Sequence, residues 1–186
     1  MDPVKDAAIV PLQSSGNAVA AIANNAVDAC ITLSPFTEQT IADFGAVTLM
    51  AVATGELREA FRLQGQCLQA RPDDMKARPD VYASLVRADV RALRVLVEKP
   101  DQARDILRKT RYANIREDIW PVVWRNQLRT FASPFVTRDG MRAWLETGTI
   151  QGNPDPVTYP YQEVVDMGNV LAALKKIDWG MSGGKG

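Results

Sequence analysis

Ser14, Ser15 and Gly16 lie together at the start of a predicted helix, where their residue types suit the binding of an anion. They precede the alanine-rich stretch Ala18 to Asn24, which has high helix propensity. The serine hydroxyls and free backbone N–H groups would therefore lie at the positive end of a helix dipole, a position that favours an anionic head group. The same residues also suit an ordinary helix N-cap, because serine is a preferred cap in any helix.

Ser34 and Gln64 are the other candidate ligand contacts. Ser34 follows the apolar run Val27 to Leu33, and Gln64 lies in a later run. If both runs are strands of a parallel sheet, the ligand site lies where strand ends and helix starts meet at one edge. We therefore predict a binding site made of Ser14, Ser15, Gly16, Ser34 and Gln64. Gln64 is explained equally well as an exposed strand residue without a ligand. Ser34 is also explained without one, as the residue that precedes a proline.

Several kinds of chemistry are excluded by composition. The chain has no histidine, so it contains no Ser-His-Asp triad, no Cys-His pair and no histidine metal site. Its two cysteines, Cys30 and Cys67, form no C-x-x-C pair that would predict a redox or metal site. The 22 Lys and Arg residues balance 22 Asp and Glu residues, which argues against a nucleic-acid surface. We predict no catalytic residues, no metal and no cofactor, and thus a protein that is not an enzyme.

The elements that would position the candidate site alternate between strand and helix in the first third of the chain. Pro11 ends the first apolar run, Asn24-Asn25 ends the first predicted helix, and Gly45 stops a second one predicted over Phe36 to Phe44. The strands between them are continuously apolar, which favours a parallel sheet covered on both faces. The predicted fold class is thus α/β, with one parallel βαβαβ lobe followed by a strand crossover and a C-terminal helical segment. The predicted domains are residues 1–60 for the βαβαβ segment and 61–186 for the crossover strand Phe61 to Ala70 and the helices.

Helix starts are clearest in the second domain. Pro79-Asp80 and Pro100-Asp101 each place proline and then an acid where a first helical turn accepts them. The first of these helices carries an apolar stripe, and Pro121 is expected to kink a later one.

The order of short motifs resembles one family of proteins. Pro11-Leu12-Gln13, Ala18 to Ile22, Val27-Asp28-Ala29 and Ser34-Pro35-Phe36 resemble the second lobe of the periplasmic substrate-binding proteins of ABC importers. The similar members are those of the nitrate, sulfonate, taurine and bicarbonate family. Later pieces, among them Pro100-Asp101-Gln102-Ala103, follow in the family's order. Leu33-Ser34 replaces the family's common tryptophan-glutamate pair, and the resemblance covers only the latter part of a full-length member.

The resemblance implies a periplasmic-binding-protein fold of type II and a solute-binding role in an importer. Its implied partners are a small anionic or zwitterionic solute and the importer's membrane subunits, and its implied location is the periplasm. It also implies that the signal peptide and most of the first lobe are missing from this sequence, whose start does not read as a signal peptide. Apolar surface left uncovered by that lobe would favour self-association.

Two alternatives remain open. The first is an enzyme on the same fold, similar to the thiamine-pyrimidine synthases, although those depend on a histidine and a cysteine-rich motif. The second is a cytoplasmic module that binds an effector or another protein.

Overall fold

A computed structural model describes residue 2 and residues 5–51, 67–128, 133–142 and 160–181. Helices account for the regular structure of these ranges. They are α1 (Ser15–Ala23), α2 (Phe36–Phe44), α3 (Pro72–Ala77), α4 (Pro79–Glu98), α5 (Pro100–Lys109), α6 (Trp120–Leu128), α7 (Tyr161–Val164) and α8 (Gly168–Lys176). Residues 138–142 are also helical.

The ends of α1 and α2 follow local sequence signals. Ser14 caps α1 by accepting a hydrogen bond from the backbone N–H of Asn17, and Asn24 closes the helix. Gly45 closes α2 in the left-handed conformation, with φ of 66°. These predicted helix limits are confirmed, because capping depends on residues within one turn of each end.

Proline in the first turn starts three consecutive helices in the middle of the chain: α3, α4 and α5. The predicted starts at Pro79 and Pro100 are confirmed. Pro121 occupies the first turn of α6, where its missing N–H costs no helical hydrogen bond. The predicted kink at Pro121 is therefore wrong, because the helix begins one residue before it.

Two apolar clusters hold these helices together. The first cluster packs α5 and α6 around Val123, which is fully buried, with Trp120 and Trp124 beside it. Rings of Tyr112, Trp120 and Trp124 follow one another at centroid distances of 5.5 and 5.9 Å. The second cluster packs α4 against α8, with Val90 fully buried against Val170, Ala173 and Leu174.

The predicted α/β fold is wrong, and so are the parallel βαβαβ lobe and the type II periplasmic-binding-protein fold that the resemblance implied. In the described ranges the chain forms helices and no strand. The apolar runs 7–10, 27–33 and 46–51 lie outside helices, and no hydrogen-bond ladder joins them. α1 and α2 pack directly on each other instead of covering a parallel sheet. Ile9, Ile31 and Val47 are accordingly 77%, 96% and 80% exposed.

The predicted crossover strand Phe61 to Ala70 falls largely outside the described residues. Its last four positions, 67–70, are neither helix nor strand. The division at residue 60 also falls outside the described ranges and stays a prediction.

Burial predicts a large difference between two neighbouring valines of α6. Val123 is fully buried, whereas Val122 is 38% exposed. Val123→Ala should lower the free energy of unfolding by about 1.5–3 kcal/mol, because it leaves a cavity among the tryptophans. Val122→Ala is the matched control and should cost less than about 0.5 kcal/mol. Equal losses in chemical denaturation would contradict this packing.

Candidate functional site

The N-terminus of α1 offers backbone donors. Ser14 Oγ accepts from the N–H of Asn17 at 3.1 Å, and the Asn17 side chain donates to the carbonyl of Leu12 at 2.8 Å. Within the described ranges the N–H groups of Ser15 and Gly16 have no protein acceptor. Ser14 thus serves as the cap, while the next two residues present donors to solvent or to an anion.

The structure brings this helix start close to the start of α2. A Cβ atom built on Gly16 would lie 3.9 Å from Cε1 of Phe36, the first residue of α2. Ser34 lies two residues before Phe36, and among the described residues no hydrogen bond joins Ser34 to Ser14, Ser15 or Gly16, so their common role as ligand contacts stays a prediction. The fifth predicted contact, Gln64, lies outside the described residues. The approach of Gly16 to Phe36 therefore arises from direct packing of α1 on α2.

A buried carboxylate, which sequence reasoning missed, lies beside Ser34. The Ser34 hydroxyl donates to Glu38 Oε2 at 2.8 Å, and Asn126 Nδ2 donates to Oε1 at 2.8 Å. Glu38 is only 5% exposed. It lies in the first turn of α2, where the helix dipole favours a negative charge. The Ser-Pro-x-x-Glu spacing was its one local signal, since Asn126 is distant in sequence.

One further hydrogen bond, between two threonine side chains, joins α2 to the segment that precedes it. The hydroxyls of Thr32 and Thr37 are 2.7 Å apart and share a hydrogen bond. Farther along, Arg116 forms an ion pair with Asp43 of α2 and also binds Asp118. α2 is therefore tied to the helical part of the chain by Asn126 and Arg116.

A separate polar cluster lies at α3 and α4. Arg78 and the Tyr82 hydroxyl both donate to the Asp74 carboxylate, and the Arg78 guanidinium lies 6.0 Å from the centre of the Tyr82 ring. The hydrogen bonds from Arg78 and Tyr82 lower the pKa of Asp74, and the bond to Asp74 raises the pKa of Tyr82. These contacts join α3 to α4, and none of them involves Ser14 or Ser34.

The remaining features of the described ranges do not point to a second ligand site. Shallow concavities lie at Arg94 to Lys99 and at Arg71 to Ala77, away from the predicted serines. Among the described residues no group of three or more Cys, Asp or Glu side chains is arranged to hold a metal ion. None of the helices described is long and apolar enough to cross a membrane.

Comparisons with known proteins returned nothing similar: no family model, no curated protein and no solved structure matches this chain.

The Glu38–Asn126 contact predicts that exchanging the carboxylate and the amide between the two positions restores stability lost in the single variants. Asn126→Asp should lower the free energy of unfolding by about 1–3 kcal/mol at pH 7, because two carboxylates would then face each other. Glu38→Gln should also destabilise, since it removes the charged acceptor. The double variant Glu38→Gln/Asn126→Asp restores an amide facing a carboxylate and should recover most of the loss. Simple addition of the two losses in chemical denaturation would contradict the contact.

The Asp74–Tyr82 bond predicts how one phenol titrates. Tyr82 should ionise above the ordinary tyrosine pKa of about 10, because its proton is shared with a carboxylate. Asp74→Asn removes that charge and should lower the pKa of Tyr82. The difference in absorbance at 295 nm between each protein and its Tyr82→Phe version isolates this group. An unchanged midpoint would refute the bond.

Proposed function

We propose that this chain binds a small zwitterionic solute at the joined starts of α1 and α2, as the solute-binding component of an ABC-type importer. The observation that carries the proposal is the packing of α1 on α2, in which Gly16 approaches Phe36, two residues after Ser34, while Ser34 donates to Glu38. The motifs that resemble the importer receptors lie in and around this region. Since the parallel sheet that the resemblance implied is absent from the described ranges, the motifs support the role alone.

The donors of α1 suit the acidic end of the solute. The N–H groups of Ser15 and Gly16 belong to the first helical turn, where no helix carbonyl accepts them, and Ser15 also carries a hydroxyl. A carboxylate or sulfonate accepts hydrogen bonds from such groups and is favoured by the helix dipole. No cationic side chain is required for this interaction.

Glu38 favours a solute that also carries a positive group. Each carboxylate oxygen of Glu38 accepts one hydrogen bond and retains further lone pairs. Its negative charge close to Ser34 repels a purely anionic solute and attracts an ammonium group. An amino acid or an aminosulfonate carries both an acidic group and an ammonium group, whereas nitrate carries only the negative charge.

The proposed role is non-catalytic, and the solute leaves unchanged. A chain without histidine has few means to activate a serine for attack, and Ser14 is occupied as a helix cap. In this role the protein works in the periplasm and delivers its solute to the importer's membrane subunits.

One observation favours a second candidate function, that of a protein-interaction module. Ile31, Leu49 and Ile9 are 96%, 86% and 77% exposed, and large exposed apolar side chains are typical of surfaces that bind other proteins. Such a module would bind its partner through the non-helical segments without taking up a solute.

Isothermal titration calorimetry with 2-aminoethanesulfonate tests the solute proposal, with ethanesulfonate as the matched ligand that lacks the amine. The aminosulfonate should bind more tightly, and Glu38→Gln should reduce its advantage about tenfold, equivalent to 1.4 kcal/mol. Ser15→Ala should weaken both ligands about tenfold or more, because a hydrogen bond to a charged group is lost.

Ser84→Ala, on the exposed side of α4, is the control and should leave binding unchanged. Equal affinity for the two sulfonates in both the wild type and Glu38→Gln would contradict the proposal. Absence of binding heat at millimolar solute would contradict it as well and would favour the interaction module.

A further inference from the structure

The helix α8 is short and depends on its packing against α4. It has nine residues, and an isolated helix of that length is marginal in water. Its buried side chains pack on the fully buried Val90 of α4; they are Val170, Ala173 and Leu174. A change that weakens this second apolar cluster should therefore unfold α8.

Two methionines lie at the two ends of α8, and both pack against the second apolar cluster. Met167 is the N-cap residue of the helix, and Met181 follows the turn that closes the helix at Ile177. Both methionines are half-buried, so each side chain contacts the cluster while part of it is accessible to solvent. A dissolved oxidant can therefore reach a thioether that also contributes to packing.

The other methionines of the described ranges lie apart from this contact. Met50, Met75 and Met141 belong to neither apolar cluster. Met50 is 67% exposed and lies outside the helices. A polar group added to such a side chain remains in water, so we expect oxidation to affect packing only at the ends of α8.

We propose that Met167 and Met181 are modification sites, at which hydrogen peroxide forms methionine sulfoxide and so releases α8 from α4. The sulfur lone pair attacks one peroxide oxygen, and the O–O bond breaks. The departing hydroxide takes the proton of the transferred oxygen and leaves as water. The sulfur is thereby oxidised by two electrons, and the peroxide is reduced by two.

The sulfoxide opposes the packing because it changes an apolar side chain into a polar one. Its oxygen loses solvation when it is held against Val90 and the aliphatic side chains of α8, which costs free energy without a hydrogen-bond donor. The oxidised side chains therefore favour water over the cluster, and α8 loses apolar contacts at both ends. Methionine sulfoxide reductases reverse the reaction, so the release acts as a redox switch. This inference goes beyond the proposed solute binding and does not depend on it.

Peroxide treatment followed by hydrogen–deuterium exchange, read by mass spectrometry, tests the proposal in the full chain. Cys30→Ser and Cys67→Ser are introduced first, because peroxide also oxidises thiols. Sulfoxide should form at Met167 and Met181, and amide exchange in α8 should become about tenfold faster or more, because local opening controls exchange. α6 is the internal reference and should exchange as before. A methionine sulfoxide reductase should restore slow exchange in α8.

Leucine variants separate these two sites from the other methionines, each protein being compared with its own untreated form. Met167→Leu/Met181→Leu keeps similar apolar volume without sulfur, so peroxide should leave its α8 exchange unchanged. Met50→Leu/Met75→Leu is the matched control and should remain as sensitive as the parent chain. Sulfoxide at both sites without faster exchange in α8 would overturn the proposal, and the parent chain alone decides this. Equal sensitivity of Met167→Leu/Met181→Leu, or no sulfoxide at either site when Met50 is oxidised, would also overturn it.

Discussion

The buried carboxylate of Glu38 is the constraint on which the arrangement of the first third depends. A charge that is 5% exposed must be satisfied by donors, and here the donors are Ser34, four residues earlier, and Asn126 on α6. The bond to Ser34 turns the polar face of the preceding segment inward, so that Ile31 and Leu33 face outward. The bond to Asn126 anchors α2 to the helical part of the chain. One side chain thus contacts both the segment that leads into α2 and the helix α6.

The helical part supplies the rigidity that this anchor needs. Asn126 lies on α6, whose position is fixed by the burial of Val123 and by the two tryptophans of the same helix. Arg108 reinforces this region, because its guanidinium lies 5.6 Å from the centre of the Trp120 ring and donates to the carbonyl of Tyr112. On the other cluster, Arg94 donates at 2.7 Å to the carbonyl of Ile177, at the C-terminal cap of α8. The cation satisfies a carbonyl that the helix leaves free.

Sequence reasoning succeeded where the signal is local and failed where it is not. Ser14, Asn24, Gly45, Pro79 and Pro100 set helix ends through contacts within a turn, and the structure confirms each of them. The prediction of a parallel sheet was wrong because strand pairing is a non-local property. A run such as 27–33 suits a strand, but its sequence does not determine which other segment would pair with it.

The candidate site divides in the same way. Ser14 to Gly16 and Ser34 were predicted as ligand contacts from residue type and position, and that role stays a prediction. Glu38 was missed because its importance comes from Asn126, which is 88 positions away. The helix α2, Phe36 to Phe44, has only a moderate apolar stripe. Its sequence therefore does not indicate which face is buried, or that Glu38 lies on that face.

The central proposal is that the starts of α1 and α2 form one solute site, with Glu38 beside it. Backbone amide chemical shifts, followed by nuclear magnetic resonance during titration with 2-aminoethanesulfonate, test it most directly. The account predicts saturable shifts at Ser15, Gly16 and Ser34, with α5 unaffected as an internal reference. Shifts confined to residues outside the two helix starts, or no saturable shift at any amide, would contradict it.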